Sequence, residues 1–122
     1  MRTYIIAIVL ALSASSALAV NTCDTMSTKA QRENCWSNQI GASQEEADDY
    51  NFAVQESKKV PATVKRNVEL KRQAISKDAE RQCRKDELGY PENKCYIDVI
   101  QGFKDYTYKE TSKYGVPDMR LN

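Results

Sequence analysis

Between positions 36 and 54, apolar residues recur at the intervals of an α-helix. Steps of three, four or seven residues place them on one helix face: Trp36, Ile40, Ala47, Tyr50 and Val54. Thr28 and Gln31 have the spacing of a capping box, which predicts that the helix begins there. Gly41 is followed by a second capping box, from Ser43 to Glu46, and this predicts a kink or a restart within the helix.

Two further stretches carry the same periodicity. The second predicted helix begins at Pro61, a residue well tolerated in a first helical turn, and ends near Gly89. Its apolar stripe comprises Val64, Val68, Ile75, Ala79 and Cys83. The third helix begins at Pro91 and Glu92, and its apolar members are Tyr96, Val99, Ile100, Phe103 and Tyr106. The tail, about 115–122, has no period and is predicted to be irregular.

These patterns together predict an all-α fold. No segment of strand length alternates in the manner of a half-buried strand rich in Val, Ile and Thr. The first two helices meet near Lys58–Pro61, so we expect an antiparallel helical hairpin. With the third helix it forms a bundle of three to four helices.

The N-terminal 1–19 segment has the features of a secretory signal peptide. Arg2 supplies the positive start, Ile5–Leu12 an apolar run, and Ala17–Ala19 a cleavage site of small residues. A membrane anchor is the alternative, but it needs about 20 apolar residues and this run is shorter. We therefore expect cleavage near Ala19 and a single helical domain, 20–122, that is secreted or periplasmic and has no membrane span.

Composition excludes most enzyme classes. The chain has no histidine, which removes Ser-His and Cys-His nucleophiles and the zinc sites that need imidazole. We therefore predict a protein that is not an enzyme and has no catalytic residue. Cleavage of the signal peptide would remove Arg2, one of the 18 basic residues. The mature chain would then have 17 basic and 17 acidic residues and a formal net charge of zero. This balance argues against nucleic acid as a partner.

Four acidic residues within the first helix are the main candidate for a metal site: Glu45, Glu46, Asp48 and Asp49. They lack the alternate loop positions and central glycine of a calcium site. Acidic residues near a helix start more often form a solvated face that the helix dipole favours. We therefore predict neither a metal nor a cofactor.

The four cysteines predict two disulfides in an oxidising compartment. Cys23 and Cys35 are twelve positions apart, as are Cys83 and Cys95, and the two pairs mirror each other about position 59. In a hairpin that turns at this point, nested bonds join Cys35 to Cys83 and Cys23 to Cys95. Four cysteines allow three connectivities, and only this geometry favours the nested one.

The segment between Cys83 and Cys95 is the candidate binding surface. Tyr90 is difficult to bury because it lies in the tight loop from Leu88 to Pro91, and Lys85 and Lys94 lie nearby. The candidate binding residues are therefore Leu88, Tyr90, Lys94 and Lys85. Tyrosine is enriched at protein interfaces, and a loop flanked by cysteines loses little entropy on docking. The alternative interpretation is that this segment only stops one helix and starts the next.

The order of several short motifs resembles the bacterial LprI-type lysozyme-inhibitor domain, a small exported helical domain. The opening carries the resemblance with Cys23, Thr28, Gln31-Arg32-Glu33-Asn34 and Cys35, and the later part with Leu70, Gln73, Lys77-Asp78, Cys83 and Cys95. The resemblance implies an inhibitor of a lysozyme or another cell-wall hydrolase in the bacterial envelope. Two alternatives stay open: an immunity protein against a periplasm-delivered toxin, and a eukaryotic secreted ligand or venom-type protein. In each case the partner is another protein.

Overall fold

A computed structural model describes residues 23–121, so the predicted signal peptide lies outside the described residues. The helices of this part are α1 (Lys29–Glu56), α2 (Ala62–Gln73), α3 (Ile75–Gln82), α4 (Asn93–Thr111) and the 3-10 helix Ser112–Tyr114, and residues 23–25 form a further 3-10 turn. No strand occurs within residues 23–121, and the all-α prediction is confirmed.

Helix α1 begins at the predicted capping box. The Gln31 N–H donates to Thr28 Oγ1 at 3.1 Å, and the Thr28 N–H donates to Gln31 Oε1 at 3.3 Å. The predicted restart after Gly41 is wrong, because α1 continues without a break from Lys29 to Glu56. A mid-helix glycine costs only about 1 kcal/mol relative to alanine, and burial of the apolar face of α1 outweighs that cost.

The second predicted helix begins where expected but divides in two. Pro61 immediately precedes α2, and Ala74, with φ −81° and ψ −7°, separates α2 from α3. The chain then leaves the helical conformation at Cys83, which is extended. The predicted helix end near Gly89 is therefore wrong. Gly89 does have a left-handed φ of 85°, but it lies in a turn outside any helix.

The described residues group into two compact units, the first ending at Ser37 and the second beginning at Asn38. The described part of the first unit is a turn folded onto the start of α1. Its Trp36 indole N–H donates to Asp24 Oδ1 at 3.1 Å, and the Arg32 guanidinium donates to the Met26 carbonyl at 2.9 Å. Trp36 is 9% exposed, so these short-range contacts bury the only tryptophan of the chain.

The second unit contains the hydrophobic core. Its buried apolar residues are Ala47, Tyr50, Val54, Val60, Val68, Ile75, Ile100, Phe103 and Val116. Most of them belong to the apolar faces that periodicity predicts for the three helical stretches. Val60 and Val116 are the exceptions. Val60 lies in the turn between α1 and α2, and Val116 lies beyond the last helix in the segment expected to be irregular. The tail therefore contributes to the core although it has no regular secondary structure at this position.

Helices α1 and α2 form the predicted antiparallel hairpin. Side-chain contacts at three successive levels define its register: Gln55 with Lys65, Asn51 with Glu69, and Asp48 with Arg72. At the next level the hydroxyl of Tyr96, from α4, bonds to both Gln44 and Ser76. At this level α1 and the start of α3 are therefore linked through the Tyr96 side chain of α4.

The nested disulfide pairing is wrong. The bonds are local and join Cys23 to Cys35 and Cys83 to Cys95, with Cα atoms 5.4 and 5.7 Å apart. Nested bonds need the two hairpin helices to stay in direct contact as far as Cys35 and Cys83. At the level of Ser76 the Tyr96 hydroxyl already lies between them. Each cysteine therefore bonds within its own unit, and no disulfide staples the hairpin.

Candidate functional site

The Cys83–Cys95 disulfide closes the segment that sequence analysis selects as a binding surface. We call residues 84–94 the closed loop. Cys83 follows the last residue of α3, and Cys95 lies in the first turn of α4, so the bond fixes both ends of the loop to helices. Near its base, Lys85 and Pro91 form an antiparallel bridge, and the Glu92 N–H donates to the Arg84 carbonyl at 2.9 Å.

Asp86 organises the tip of the closed loop. Its carboxylate Oδ1 accepts the backbone N–H groups of Leu88 and Tyr90, both at 2.9 Å. Its own N–H donates to the Tyr90 carbonyl at 2.7 Å, and its carbonyl accepts the Gly89 N–H at 3.0 Å. Gly89 supplies the left-handed conformation that this turn requires. One carboxylate and one glycine therefore hold the loop in a defined shape.

Sequence reasoning missed the role of Asp86. A signal was present, because aspartate two residues before the centre of a glycine-containing turn favours hydrogen bonds from its side chain to nearby backbone N–H groups. Charge alone does not distinguish Asp86 from its neighbours, because Arg84 and Lys85 precede it and Glu87 follows it. Three basic and three acidic residues fall within the closed loop, so its formal charge is zero.

The structure brings all four candidate binding residues onto this one loop. The tip exposes Leu88 to 75% and Tyr90 to 65%, although both have large apolar surfaces. Lys85 and Lys94 lie nearer the base and are also exposed. Neither lysine forms an ion pair within residues 23–121, so both ammonium groups are available to a partner.

Two of the four clustered acidic residues of α1, Glu46 and Asp48, form ion pairs with other helices. Glu46 Oε2 lies 2.6 Å from Lys104 Nζ of α4, and Asp48 Oδ1 lies 2.6 Å from Arg72 Nε of α2. Across residues 23–121, no three cysteine or acidic side chains come together in a group that could hold a metal ion. The interpretation as a solvated face therefore applies to Glu45 and Asp49 but misses the interhelical role of Glu46.

Burial and hydrogen bonding shift a few pKa values in the second unit. Burial raises the pKa of the Tyr50 hydroxyl and of the Tyr106 hydroxyl. Hydrogen bonds from Asn51 and Gln73 lower the pKa of the Glu69 carboxyl. All three groups lie on helices α1, α2 and α4, outside the closed loop.

No helix within residues 23–121 combines the length and apolar character needed to cross a membrane. No protein-family model, curated protein or solved structure matches this chain.

Proposed function

We propose that the chain is an exported binding domain that inhibits a lysozyme-like cell-wall hydrolase by inserting the closed loop into its substrate cleft. The observation that carries this proposal is the exposure of Leu88 and Tyr90 at the tip of a disulfide-closed loop. Large apolar side chains that are exposed to solvent and lie next to each other favour association with another protein.

Preorganisation supports this use of the loop. The Cys83–Cys95 bond and the hydrogen bonds to Asp86 fix the backbone before any partner arrives. Binding then costs little conformational entropy, so more of the contact energy appears as affinity. Tyr90 adds a large ring with a polar end, a combination enriched at protein interfaces.

The target class follows from charge and from the resemblance of the sequence. Glycan-cleaving clefts carry paired carboxylates, and the free ammonium groups of Lys85 and Lys94 complement such a surface. Two disulfides fit an extracellular protein, the setting in which cell-wall hydrolases act. The motif order of the LprI-type inhibitors points to the same kind of target.

The proposal assigns no catalytic step to this chain. Both disulfides are formed, so no thiol is available as a nucleophile among the described residues. The sequence has no histidine to act as a general base. The domain acts by occupying the substrate cleft of the target hydrolase.

The test is inhibition of a panel of lysozymes by the purified oxidised protein and by matched variants. Tyr90→Ala should weaken inhibition by about tenfold or more, the loss typical of a residue at the centre of an interface. Phe52→Ala is the matched control, because Phe52 is an aromatic residue of α1 that is 66% exposed, against 65% for Tyr90. Lys94→Glu should also reduce inhibition relative to the parent, and the reduction should be largest at low ionic strength, where charges are screened least.

Circular dichroism of each variant checks that helicity is unchanged. If the parent protein inhibits no lysozyme, the target class is wrong. If Tyr90→Ala inhibits as well as Phe52→Ala and the parent, the contact surface lies elsewhere.

A further inference from the structure

The α1–α2 hairpin exposes two large apolar side chains on its outer face, the side opposite the core. Phe52 of α1 is 66% exposed and Leu70 of α2 is 52% exposed. They lie at the same level of the hairpin, because their chain neighbours Asn51 and Glu69 are joined by a hydrogen bond between the two helices. The outer face therefore presents an apolar pair to solvent.

Phe52 and Leu70 belong to two exposed stripes, one on each arm of the hairpin. Steps of three and four residues keep a stripe on one side of a helix, and here that side is opposite the buried Tyr50 and Val54 of α1 and Val68 of α2. The outer stripe of α1 comprises Glu45, Asp49, Phe52 and Glu56. The outer stripe of α2 continues into α3 and comprises Arg66, Leu70, Gln73 and Lys77. All eight residues are exposed.

The two outer stripes match each other level by level. Because the hairpin is antiparallel, the register at Asn51 and Glu69 orders the levels as follows: Glu56 with Arg66, Phe52 with Leu70, Asp49 with Gln73, and Glu45 with Lys77. An acid is level with a base at both ends of the face. An apolar pair and a polar pair lie between them.

The charges at both ends of the face are unpaired within the chain. The side chains of Glu45, Glu56, Arg66 and Lys77 form neither a hydrogen bond nor an ion pair with any residue from 23 to 121. They point away from the core on separate arms of the hairpin, so the matching charges do not meet in one molecule. They are free to pair with charges of a second molecule.

We propose that this outer face is the interface between two copies of the chain, related by a two-fold axis parallel to the hairpin helices. This axis lays α1 of one copy over α2 of the other at the same level, so each outer stripe meets the stripe that matches it. Because the interface is self-complementary, each of the four contacts occurs twice. A two-fold axis across the helices would instead lay α1 on α1 and oppose acidic residues, which is unfavourable.

The interface is small, so the dimer should be weak. It covers one face of two short helical segments, which is less than the area of a standard stable interface. No residue of the closed loop belongs to this face, so the dimer stands or falls separately from the proposed inhibition. A weak dimer is dissociated at the low concentrations of an inhibition assay, and Phe52→Ala therefore remains a valid control there.

Sedimentation equilibrium of the oxidised protein between about 10 µM and about 1 mM tests the proposal. The mean mass should rise from that of one chain towards that of two as the concentration increases. Phe52→Ala should raise the dissociation constant by about tenfold or more, because this side chain is buried twice in the symmetric dimer. Tyr90→Ala is the matched control, since Tyr90 is an equally exposed aromatic residue outside the face, and it should dimerise as the parent does.

Charge reversal tests the pairing of the two stripes. Glu56→Arg and Arg66→Glu each oppose like charges at two places and should each weaken the dimer by about fivefold. The variant with both reversals restores opposite charges and should dimerise as the parent does. Circular dichroism of each variant checks that helicity is unchanged.

Three results would overturn the proposed dimer. The first is a parent protein that stays monomeric at about 1 mM. The second is an equal loss of dimer in Tyr90→Ala and Phe52→Ala, which would move the contact to another surface. The third is a double charge reversal that dimerises no better than either single reversal, which would exclude the contact between Glu56 and Arg66.

Discussion

The carboxylate of Asp86 accepts the backbone N–H of Tyr90 at 2.9 Å, and the Asp86 N–H donates to the Tyr90 carbonyl at 2.7 Å. This pair fastens the two sides of the loop tip while leaving the Tyr90 ring 65% exposed. A loop of this kind presents an apolar contact group without having to order it on binding. The relationship between these two residues is therefore the structural basis of the proposed inhibition.

Removal of the Asp86 carboxylate should loosen the tip without unfolding the helices. In Asp86→Ala, the amide hydrogens of Leu88 and Tyr90 lose their acceptor, and their exchange should accelerate by roughly fivefold, as expected for about 1 kcal/mol per hydrogen bond. Asp86→Asn is the control because it retains Oδ1. Equal exchange rates in the alanine variant and the parent would show that the carboxylate does not hold the tip.

The ion pair between Lys104 and Glu46 should contribute to stability through burial. The Lys104 side chain is 4% exposed and its Nζ lies 2.6 Å from Glu46 Oε2, whereas Glu46 is 31% exposed. Lys104→Met leaves Glu46 without its cation and should lower the free energy of unfolding by about 2 kcal/mol, less than for a fully buried pair. Urea denaturation measures the change.

The double variant Lys104→Met with Glu46→Gln isolates the pair interaction. The loss of unfolding free energy in the double variant should be smaller than the sum of the losses in the two single variants, because removing both charges leaves no unpaired charge behind. Strict additivity would show that the two side chains do not interact energetically in solution.

Three glycines should respond oppositely to alanine. Gly41 and Gly102 lie inside helices with free space at the Cβ position, so Gly41→Ala and Gly102→Ala should each raise stability by about 0.5–1 kcal/mol. Gly115 has a φ of 84°, and Gly115→Ala should cost about 1 kcal/mol. Thermal unfolding of the three variants checks the signs, and a stabilising Gly115→Ala would contradict the left-handed turn.

The tail should respond to acid through Asp118. Hydrogen bonds from the Arg120 side chain, at 2.9 and 2.7 Å, lower the pKa of Asp118 from 3.8 to about 2. The folded state therefore favours the charged carboxylate. Its contribution is complete above pH 3.8, the ordinary value, and is lost as pH falls through about 2.

Carboxyl-detected NMR titration measures this pKa directly. In Arg120→Gln the Asp118 pKa should rise towards 3.8, because the charged donor is gone. The Arg120 guanidinium also stacks 3.6 Å from the Tyr108 ring centroid, so the same variant should shift the Tyr108 ring resonances. An Asp118 pKa that is the same in both proteins would exclude the pairing.

Helical periodicity predicts most of the core because burial follows one face of each helix. Tyr50, Val54, Val68, Ile100 and Phe103 are buried as their spacing requires. The capping box at Thr28 is likewise encoded within four residues, so it needs no knowledge of the rest of the fold. Information confined to one helix was therefore sufficient for the fold class and for most of the core.

The errors concern contacts between segments. The nested pairing of Cys35 with Cys83 assumed an uninterrupted hairpin, whereas α2 gives way to α3 at Ala74 and Tyr96 enters from α4. Lys104 has the sequence character of a solvated helix charge, and its partner Glu46 is 58 residues away. Neither fact has a local signature, because both depend on how α4 packs.

The candidate site was partly accessible from sequence for the same reason. Leu88, Tyr90 and the flanking lysines lie within a dozen residues of one another, so their grouping follows from the chain itself. The local disulfide and the role of Asp86 depend on the path of the loop, which periodicity does not describe.

Peptide mapping under non-reducing conditions tests the central claim, that a local disulfide closes the loop bearing Leu88 and Tyr90. Trypsin cleaves after Arg81, Arg84, Lys94 and Lys104. The structure predicts a cross-linked species in which peptide 82–84 is joined to peptide 95–104 through Cys83 and Cys95. Recovery of peptide 82–84 joined instead to peptide 33–58, through Cys35, would contradict the closed loop and remove the basis of the proposed inhibition.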